Sequence, residues 1–131
     1  MSDGSVGNDT ATILLVEDDV LIALDLKLQI EALGYEVAGP FHSTETALAS
    51  LDDQMPQAAI LDFNLNRKET SKPIADRLDK ASIPFVFLSG YAATDLLGKS
   101  GMEHVQVLSK PVTQLALEQA ITEMVKAVSN S

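Results

Sequence analysis

The chain has 131 residues, which is enough for one domain with a full hydrophobic core. It has no cysteine, which excludes disulfides, thiolate zinc sites and a cysteine nucleophile. Its 19 acidic and 9 basic residues give a formal net charge of −10, so most of the surface should repel a nucleic-acid backbone. No apolar run approaches the roughly 20 residues that a membrane span requires, and no signal peptide is visible. Composition therefore predicts a cytoplasmic protein that binds neither nucleic acid nor a membrane.

Strands and helices are predicted to alternate along the chain after a short tail. Apart from Met1, residues 1–11 contain one bulky apolar residue, Val6, and they are predicted to be disordered. The ordered domain is expected over residues 12–129. In chain order, the predicted elements are a strand in ILLVEDD (13–19), a helix (19–33), a strand (35–38), a helix capped by Ser43 or Thr44 and ending at Leu51, a strand in AAILDFN (58–64), a helix from Pro73 to Asp79, a strand in PFVFLSG (84–90), at most about two helical turns (92–97), a strand in VQVLSKP (105–111), and a helix (113–128). Short apolar runs bounded by turn residues are typical of strands buried on both faces, and such strands form parallel sheets covered by helices.

Polar residues follow four of the predicted strands, at the point where each strand ends. They are Glu17, Asp18, Asp62, Ser89 and Lys110. Because the carboxyl ends of parallel strands lie on one edge of a sheet, where ligands bind, we expect these side chains to converge. Asp19 is an alternative member of the acidic pair, but the first strand ends at Val16, which favours the two residues directly after it.

Three carboxylates at one edge of a sheet repel each other strongly. Two unit charges about 4 Å apart repel by about 4 kcal/mol at an effective dielectric constant near 20. A divalent cation is therefore expected among them, and hard oxygen ligands favour Mg²⁺, which keeps several waters and binds a phosphate oxygen. The lysine and the serine hydroxyl would hold other phosphate oxygens, and one carboxylate would act as the nucleophile. The strand-end residues thus predict phosphoryl chemistry with Mg²⁺.

The order of an acidic pair, an aspartate, a serine and a Lys-Pro pair at successive strand ends resembles the receiver domain of two-component response regulators, the CheY-like fold. The resemblance runs from about residue 12 to residue 128. It implies an α/β fold of the doubly wound (βα)5 type, with a flavodoxin-like five-stranded parallel sheet of order 2-1-3-4-5. It also implies that Asp62 accepts a phosphoryl group from a histidine kinase.

The same resemblance implies a role for the other polar residues at this edge. Asp18 would bind Mg²⁺ directly, together with Asp62, and Glu17 would bind it through water. Asn64 would bind the ion through its backbone carbonyl. Lys110 would pair with the phosphoryl group once it is attached.

Two segments depart from the common receiver pattern. The usual Pro-Gly-rich loop after the phosphorylated aspartate is replaced by NLNRK (64–68), and Val107 stands where most receivers carry a switching Tyr or Phe. An aromatic residue stands instead at Tyr91, two residues after Ser89. Ser89 is expected to hydrogen-bond the phosphoryl group, and with Gly90 and Tyr91 to form the switch that couples phosphorylation to a conformational change. This resembles the receiver subclass known by a Phe-Ala-Thr-Gly-aromatic-Tyr signature, with Leu-Ser here in place of Ala-Thr, whose members often stand alone and pair with histidine kinases of the HWE type.

The predicted function is that of a single-domain response regulator in a two-component phosphorelay. The protein is expected to catalyse only its own phosphorylation and dephosphorylation, and is not otherwise predicted to be an enzyme. No output domain is expected after residue 128, so the protein is predicted to signal by protein contacts, to pass phosphate onward or to drain phosphate from a kinase. The expected partners are a histidine kinase, of the HWE type, or a phosphotransfer protein, together with an unknown downstream protein, and the chain is expected to be a monomer.

Two other functions stay open at this stage. The first is a Mg²⁺-dependent phosphatase with an aspartate nucleophile, as in haloacid-dehalogenase-like enzymes. That chemistry usually needs a second aspartate two residues after the first as the general acid, and this position is Asn64. The second is a binding module that keeps the receiver fold but is never phosphorylated.

The predicted first helix carries two apolar arcs, whereas a helix packed on one face of a sheet buries only one. The arc assigned to the core consists of Ile22, Leu26, Ile30 and Leu33. The other arc consists of Leu21, Leu24, Leu28 and Ala32. This second arc is expected to be an exposed patch beside the Asp62 pocket, and such patches mark protein partners. Leu21, Leu24 and Leu28 are therefore predicted to dock the helical hairpin of the kinase, unless neighbouring elements enclose the helix.

The two histidines of the chain, His42 and His104, lie outside the set of strand-end residues. A lone histidine is more often an ordinary surface or loop residue than a metal ligand or a phosphorelay histidine. The sequence therefore assigns neither of them a function.

Overall fold

The computed structural model describes residues 10–65, 69–90 and 105–129. In chain order, its elements are β1 (Thr12–Val16), α1 (Val20–Ala32), β2 (Glu36–Phe41), α2 (Thr44–Asp53), β3 (Ala58–Asp62), α3 (Lys72–Lys80), β4 (Phe85–Ser89), β5 (Val107–Ser109) and α4 (Gln114–Ser129). The strands are parallel and form one five-stranded sheet of order β2-β1-β3-β4-β5. The predicted α/β fold with its flavodoxin-like sheet is confirmed.

Both faces of the sheet are buried, which is why its central strands read as continuous apolar runs. Successive side chains of a strand point to opposite faces. In β1, Leu14 packs with residues of α2 and α3 on one face, whereas Ile13 and Leu15 pack with residues of α1 and α4 on the other. Phe87 of β4 belongs to the first layer, and its ring centroid lies 5.1 Å from that of Phe63. The two layers leave the carboxyl ends of the strands at the rim of the sheet.

Helix α1 begins one residue later than predicted, because Asp19 is its N-cap. The Asp19 Oδ1 atom accepts hydrogen bonds from the backbone N–H groups of Leu21 (3.0 Å) and Ile22 (3.1 Å). The buried residues of α1 are Ala23, Leu26 and Ile30. The assignment of Ile22 to the core was wrong, since this side chain is 38% exposed. The first turn of α1 extends to the rim of the sheet, where Ile22 borders the pocket at the strand ends.

Strand β2 is longer than the predicted strand over residues 35–38 and contains a bulge. Between its pairs with Ala38 and Phe41, β1 advances by two residues whereas β2 advances by three. Gly39 lies in the bulge with φ = 108°, and a Cβ at this position would lie 2.8 Å from a backbone oxygen of β1. Glycine avoids both the strained φ and this clash. The strand therefore continues through Gly39 and ends where the N–H of Glu17 donates to the Phe41 carbonyl (2.9 Å).

Parts of the predicted tail, of the loop after β3 and of the predicted switch lie outside the described ranges. They comprise residues 1–9 of the predicted tail, residues 66–68 of the loop after β3, and the segment 91–104 with Tyr91 and His104. Ala11, which the sequence places in the tail, is buried, and its carbonyl accepts a hydrogen bond from the N–H of Glu36 (3.0 Å). Ala11 therefore packs against the domain that is predicted to begin at residue 12. Within the described ranges, the helices are too short or too polar to cross a bilayer.

Candidate functional site

The carboxyl ends of β1, β3, β4 and β5 meet at one pocket of about 270 Å³. Its lining residues are Glu17, Asp18, Asp19, Ile22, Asp62, Asn64, Ser89, Gly90 and Lys110. Asp62 and Ser89 are the last residues of β3 and β4, whereas Glu17 and Lys110 directly follow β1 and β5. The prediction that the strand-end residues lie together in one pocket is thus confirmed.

Three carboxylates of this pocket form a compact group. Carboxylate oxygens of Glu17, Asp18 and Asp62 lie within 4.8 Å of one another. Glu17 is fully buried and Asp62 is 4% exposed, whereas Asp18 is exposed. The group includes Asp18 and not Asp19, whose carboxylate caps α1. The geometry therefore supports Glu17 and Asp18 as the acidic pair.

Lys110 brings one positive charge to the buried carboxylates. Its Nζ atom lies 2.8 Å from Oε1 of Glu17 and 3.1 Å from Oδ2 of Asp62. The backbone N–H of Lys110 donates to the carbonyl of Ser89 (3.0 Å), which fixes the start of this side chain at the end of β5. Burial acts to lower the pKa of Lys110, but its hydrogen bond to Glu17 and the charge of Asp62 outweigh burial and raise the pKa above its ordinary value. The lysine is therefore firmly charged.

Asp62 is the carboxylate whose ionisation is most disturbed. Burial, followed by the negative charge of Glu17, raises the pKa of Asp62 from 3.8 to about 8, against the opposing charge of Lys110. With Lys110 as the cation of the site, Asp62 holds a proton near neutral pH and is a poor nucleophile. A divalent cation among the three carboxylates would favour the ionised form. An all-oxygen donor set with one exposed member suits Mg²⁺, which keeps several waters. The acidic cluster is therefore compatible with a Mg²⁺ site.

Asn64 lies at the rim of the pocket, in the loop after β3. It is exposed and pairs with Thr70 in an isolated antiparallel bridge. The next residue, Leu65, is fully buried, and its N–H donates to the carbonyl of Glu69 (3.1 Å). These contacts hold the chain directly after Asp62 beside the pocket. The binding of Mg²⁺ by the Asn64 carbonyl stays a prediction.

The serine expected to contact a phosphoryl group is in place. Ser89 is 3% exposed and lines the pocket together with Gly90. Tyr91, the third residue of the predicted switch, lies outside the described residues. The switch role of Ser89, Gly90 and Tyr91 therefore stays a prediction.

One contact of the site was not predicted from the sequence. The Nδ1 atom of His42 lies 2.8 Å from the backbone carbonyl oxygen of Glu17. This contact depends on β2 reaching past the bulge at Gly39, and neither residue spacing nor hydrophobic periodicity reveals a bulge. His42 thus belongs to the surroundings of the acidic pair, although it follows no strand of the predicted converging set.

The three leucines predicted to dock a kinase lie on an exposed face of α1. Their exposed fractions are 78% for Leu21, 50% for Leu24 and 56% for Leu28. No element of the described ranges encloses them, which confirms the predicted patch. Beside it, a largely apolar groove of about 480 Å³ is lined by Leu21, Ile22, Asp25, Leu26, Leu88, Lys110, Pro111 and Val112. The groove shares Ile22 and Lys110 with the carboxylate pocket, so the apolar surface is continuous with that pocket.

Comparison with known proteins places this site in a family. The family model of the response regulator receiver domain matches residues 13–122. The phyllosphere-induced regulator PhyR of Methylorubrum extorquens is 28% identical over 118 residues, which cover 88% of this chain and 44% of that protein. The chain thus spans less than half the length of this relative.

Two solved structures show the same fold. The solution structure of SdrG from Sphingomonas melonis Fr1 is 36% identical, with a TM-score of 0.75 over 89% of this chain and 98% of that chain. The receiver domain of a modulated diguanylate cyclase from Desulfovibrio desulfuricans G20 is 27% identical, with a TM-score of 0.81 over 92% of this chain and 98% of that chain. The family match, the sheet order and the acidic pocket agree, and the chain belongs to the CheY-like response regulator receiver domain family.

Proposed function

We propose that this protein acts in a two-component phosphorelay by accepting a phosphoryl group on Asp62, with Mg²⁺ as the metal. The donor would be a histidine kinase or a phosphotransfer protein. The observation that carries the proposal is the setting of Asp62, a buried carboxylate 3.1 Å from the Lys110 ammonium and grouped with two further carboxylates. Once a bound Mg²⁺ favours the ionised form of Asp62, such a setting would combine a nucleophile with the positive charge that phosphoryl chemistry requires.

The proposed reaction transfers a phosphoryl group from an imidazole nitrogen to a carboxylate oxygen. A bond forms between an Asp62 oxygen and phosphorus, and the bond between phosphorus and the donor nitrogen breaks. The imidazole leaves with the electron pair of that bond and takes up a proton from solvent. Because the incoming group is an anion, charge neutralisation controls the rate. Lys110 would turn from Asp62 to the phosphoryl oxygens, and bound Mg²⁺ would neutralise the remaining charge. Asp18 and Asp62 would hold the ion directly, Glu17 would hold it through water, and Asn64 would hold it through its backbone carbonyl.

Readout of the phosphorylated state is proposed to begin at the end of β4. Ser89 would donate a hydrogen bond to the phosphoryl group, and Gly90 and Tyr91 would move with it. The phosphorylated protein would then bind a downstream protein, or it would serve as a sink that drains phosphate from the kinase. We propose that it does so as a cytoplasmic monomer that catalyses only its own phosphorylation and dephosphorylation.

The kinase partner is proposed to dock on α1. Leu21, Leu24 and Leu28 are exposed, and Leu21 lines the groove that shares Ile22 and Lys110 with the pocket of Asp62. A helical hairpin packed on these leucines would bring its phosphohistidine opposite Asp62. Pairing with a kinase of the HWE type is proposed from the likeness of the segment around Tyr91 to the Phe-Ala-Thr-Gly-aromatic-Tyr signature.

The test is incubation with acetyl phosphate or phosphoramidate and Mg²⁺, followed by intact-mass analysis and peptide mapping. Gain of one phosphoryl group at Asp62 is expected, with no gain in Asp62→Asn. Asp53→Asn removes an exposed aspartate of the same domain and should be phosphorylated like the wild type. Turnover of a phosphate ester would instead indicate a phosphatase, and absence of both reactions would indicate a binding module.

A further inference from the structure

Glu17 is held by polar contacts to several parts of the chain. Its N–H donates to the Phe41 carbonyl (2.9 Å), and its own carbonyl oxygen lies 2.8 Å from Nδ1 of His42. One carboxylate oxygen accepts from the N–H of Asp19 (3.0 Å), and the other lies 2.8 Å from Nζ of Lys110. Both backbone groups and both carboxylate oxygens of this buried residue therefore have a polar partner.

The contact from His42 differs from the others because a side chain at the surface makes it. A carbonyl oxygen only accepts hydrogen bonds, so Nδ1 carries the proton and donates it to Glu17. His42 is exposed, so burial of its ring gives little reason for this arrangement. The contact is better explained by its effect on the Glu17 carbonyl, whose position it fixes.

That backbone group is the peptide between the two residues of the acidic pair. Holding the Glu17 carbonyl restricts the rotation of this planar unit, and so restricts the backbone on both of its sides. Asp18 is exposed and packing does not fix its orientation, yet its carboxylate lies within 4.8 Å of those of Glu17 and Asp62. The negative charges of Glu17 and Asp18 repel each other and favour a backbone that separates the two side chains. A restraint on the connecting peptide opposes this separation.

The bulge in β2 brings the donor to this position. The extra residue at Gly39 shifts β2 relative to β1. As a result, Phe41, the last residue of β2, accepts a hydrogen bond from the Glu17 N–H. The next residue, His42, donates to the Glu17 carbonyl. With one residue fewer, a different side chain would face this peptide. The end of β2 thus clamps both backbone groups of Glu17.

We propose that His42 is a positioning residue of the metal site. By donating to the Glu17 carbonyl, it holds the peptide between Glu17 and Asp18 in the orientation in which the two carboxylates bind Mg²⁺. His42 itself touches neither the ion nor the phosphoryl group. The role rests on the proposed function, and it predicts that loss of the donor weakens Mg²⁺ binding while leaving phosphoryl transfer at saturating Mg²⁺ unchanged.

Two variants of nearly the same shape test this role. In His42→Asn the amide nitrogen takes the place of Nδ1 as a donor, whereas His42→Leu has similar size and no donor. Mg²⁺ affinity is measured by calorimetry, and the rate of phosphorylation by phosphoramidate is measured over a range of Mg²⁺ concentrations. His42→Leu should bind Mg²⁺ about fivefold more weakly, the effect of losing one hydrogen bond, whereas His42→Asn should stay within about twofold of the wild type. The rates of all three proteins should converge at saturating Mg²⁺.

Wild-type Mg²⁺ affinity in His42→Leu would overturn the role, as would equal weakening in both variants. His42→Ala is a second variant without the donor, and it decides the question if His42→Leu shows a lower melting temperature in EDTA. The proposed function is tested separately by the wild type. If the wild type is phosphorylated on Asp62 and only the Mg²⁺ dependence of the variants is unchanged, the role of His42 alone is wrong. If the wild type binds no Mg²⁺, the proposed function and the role of His42 both fall.

Discussion

Glu17 and Lys110, which lie near opposite ends of the chain, form an ion pair of 2.8 Å in which the carboxylate is fully buried. The same ammonium lies 3.1 Å from Asp62. One lysine thus faces two buried carboxylates, and the exposed Asp18 adds a third carboxylate to the group. The resulting excess of negative charge links the stability of the domain to pH and to cations.

Removal of this lysine should destabilise the fold. Lys110→Met retains the length of the side chain but leaves Glu17 and Asp62 without their cation, and a buried charge that loses its partner is costly. We expect the free energy of unfolding to fall by about 3 kcal/mol at pH 8 in EDTA, and by less at lower pH, where Asp62 takes up a proton. Denaturant titration measures the change. Lys80→Met, which removes an exposed lysine of α3, should change the free energy by less than about 0.5 kcal/mol, and equal effects of both variants would contradict the burial argument.

The ionisation of Asp62 predicts how stability depends on pH. Its pKa is raised from 3.8 to about 8 in the folded protein, so between these values the folded state retains a proton that the unfolded state has lost. Stability from this group is therefore fully present below about pH 4 and is lost as pH rises through about 8. Asp62→Asn does not ionise. Its stability relative to the wild type should increase with pH over this range, by on the order of a few kcal/mol in EDTA.

The measurement is denaturant unfolding of both proteins from about pH 5 to about pH 9, compared as a difference so that other carboxylates cancel. Saturating Mg²⁺ should flatten the difference, because the ion favours ionised Asp62, and it should stabilise the wild type more than Asp62→Asn. A difference that does not vary with pH in EDTA would show that Asp62 ionises normally.

The acidic pair is tested by two neighbouring substitutions that remove the same charge. Asp18→Asn should abolish Mg²⁺-dependent phosphorylation of Asp62 by phosphoramidate, and should leave the protein folded and at least as stable in EDTA, because one repelling charge is gone. Asp19→Asn should be phosphorylated normally, since asparagine caps a helix about as well as aspartate. Rates measured over a range of Mg²⁺ concentrations distinguish the two. Phosphorylation of Asp18→Asn at the wild-type rate would show that the metal assignment is wrong.

The bulge in β2 is tested by two glycines with similar backbone angles. Gly34 and Gly39 have φ of 99° and 108°, but a Cβ at Gly34 would meet no atom within 4 Å, whereas one at Gly39 would lie 2.7 Å from the N of Phe41. Gly34→Ala should cost about 1 kcal/mol, the effect of a left-handed φ alone. Gly39→Ala should cost about 2 kcal/mol more, because backbone must move. Thermal or denaturant unfolding measures both, and equal costs would mean that the bulge relaxes freely.

The sheet was predictable from the sequence because its strands are buried on both faces. β1, β3, β4 and β5 all lie within the apolar runs of the sequence, and their alternation with helices predicts that they are parallel. The order of the strands was implied by the resemblance to the receiver fold. β2 was predicted too short because Gly39 and Pro40 resemble a turn. An edge strand tolerates both residues, since a bulge absorbs the glycine and one side of the strand needs no partner for the missing proline N–H.

The sequence predicts those residues of the site whose positions depend only on the topology of the sheet. Glu17, Asp62 and Lys110 meet because each follows or ends a parallel strand, whatever the details of packing. The contact of His42 with the Glu17 carbonyl and the exposure of Ile22 depend on one extra residue in β2 and on where α1 starts relative to the rim. Hydrophobic periodicity locates an element to within a turn, which is too coarse to reveal such contacts.

The exposed leucines of α1 should matter for transfer from a kinase and not for the chemistry at Asp62. In Leu24→Asp combined with Leu28→Asp, two charges would replace apolar contacts at the proposed interface, where central residues contribute about 2 kcal/mol or more each. Phosphotransfer from the cognate kinase should therefore fall by more than the roughly thirtyfold that the loss of one such residue would cause. Phosphorylation by acetyl phosphate and the melting temperature should stay close to those of the wild type, because both side chains are at least half exposed.

A control for the leucine variant places a single aspartate on a different exposed apolar residue. Met55 is 38% exposed and lies just before β3. It is therefore at the amino end of this strand, whereas Asp62 is at the carboxyl end. Met55→Asp should therefore leave transfer from the kinase unchanged, whereas loss of transfer in both variants would point to added charge as the cause. If the leucine variant also loses phosphorylation by acetyl phosphate, or unfolds, the patch supports the fold and the docking proposal is wrong. Selective loss of transfer from the kinase would identify Leu24 and Leu28 as part of the surface that presents Asp62 to its donor.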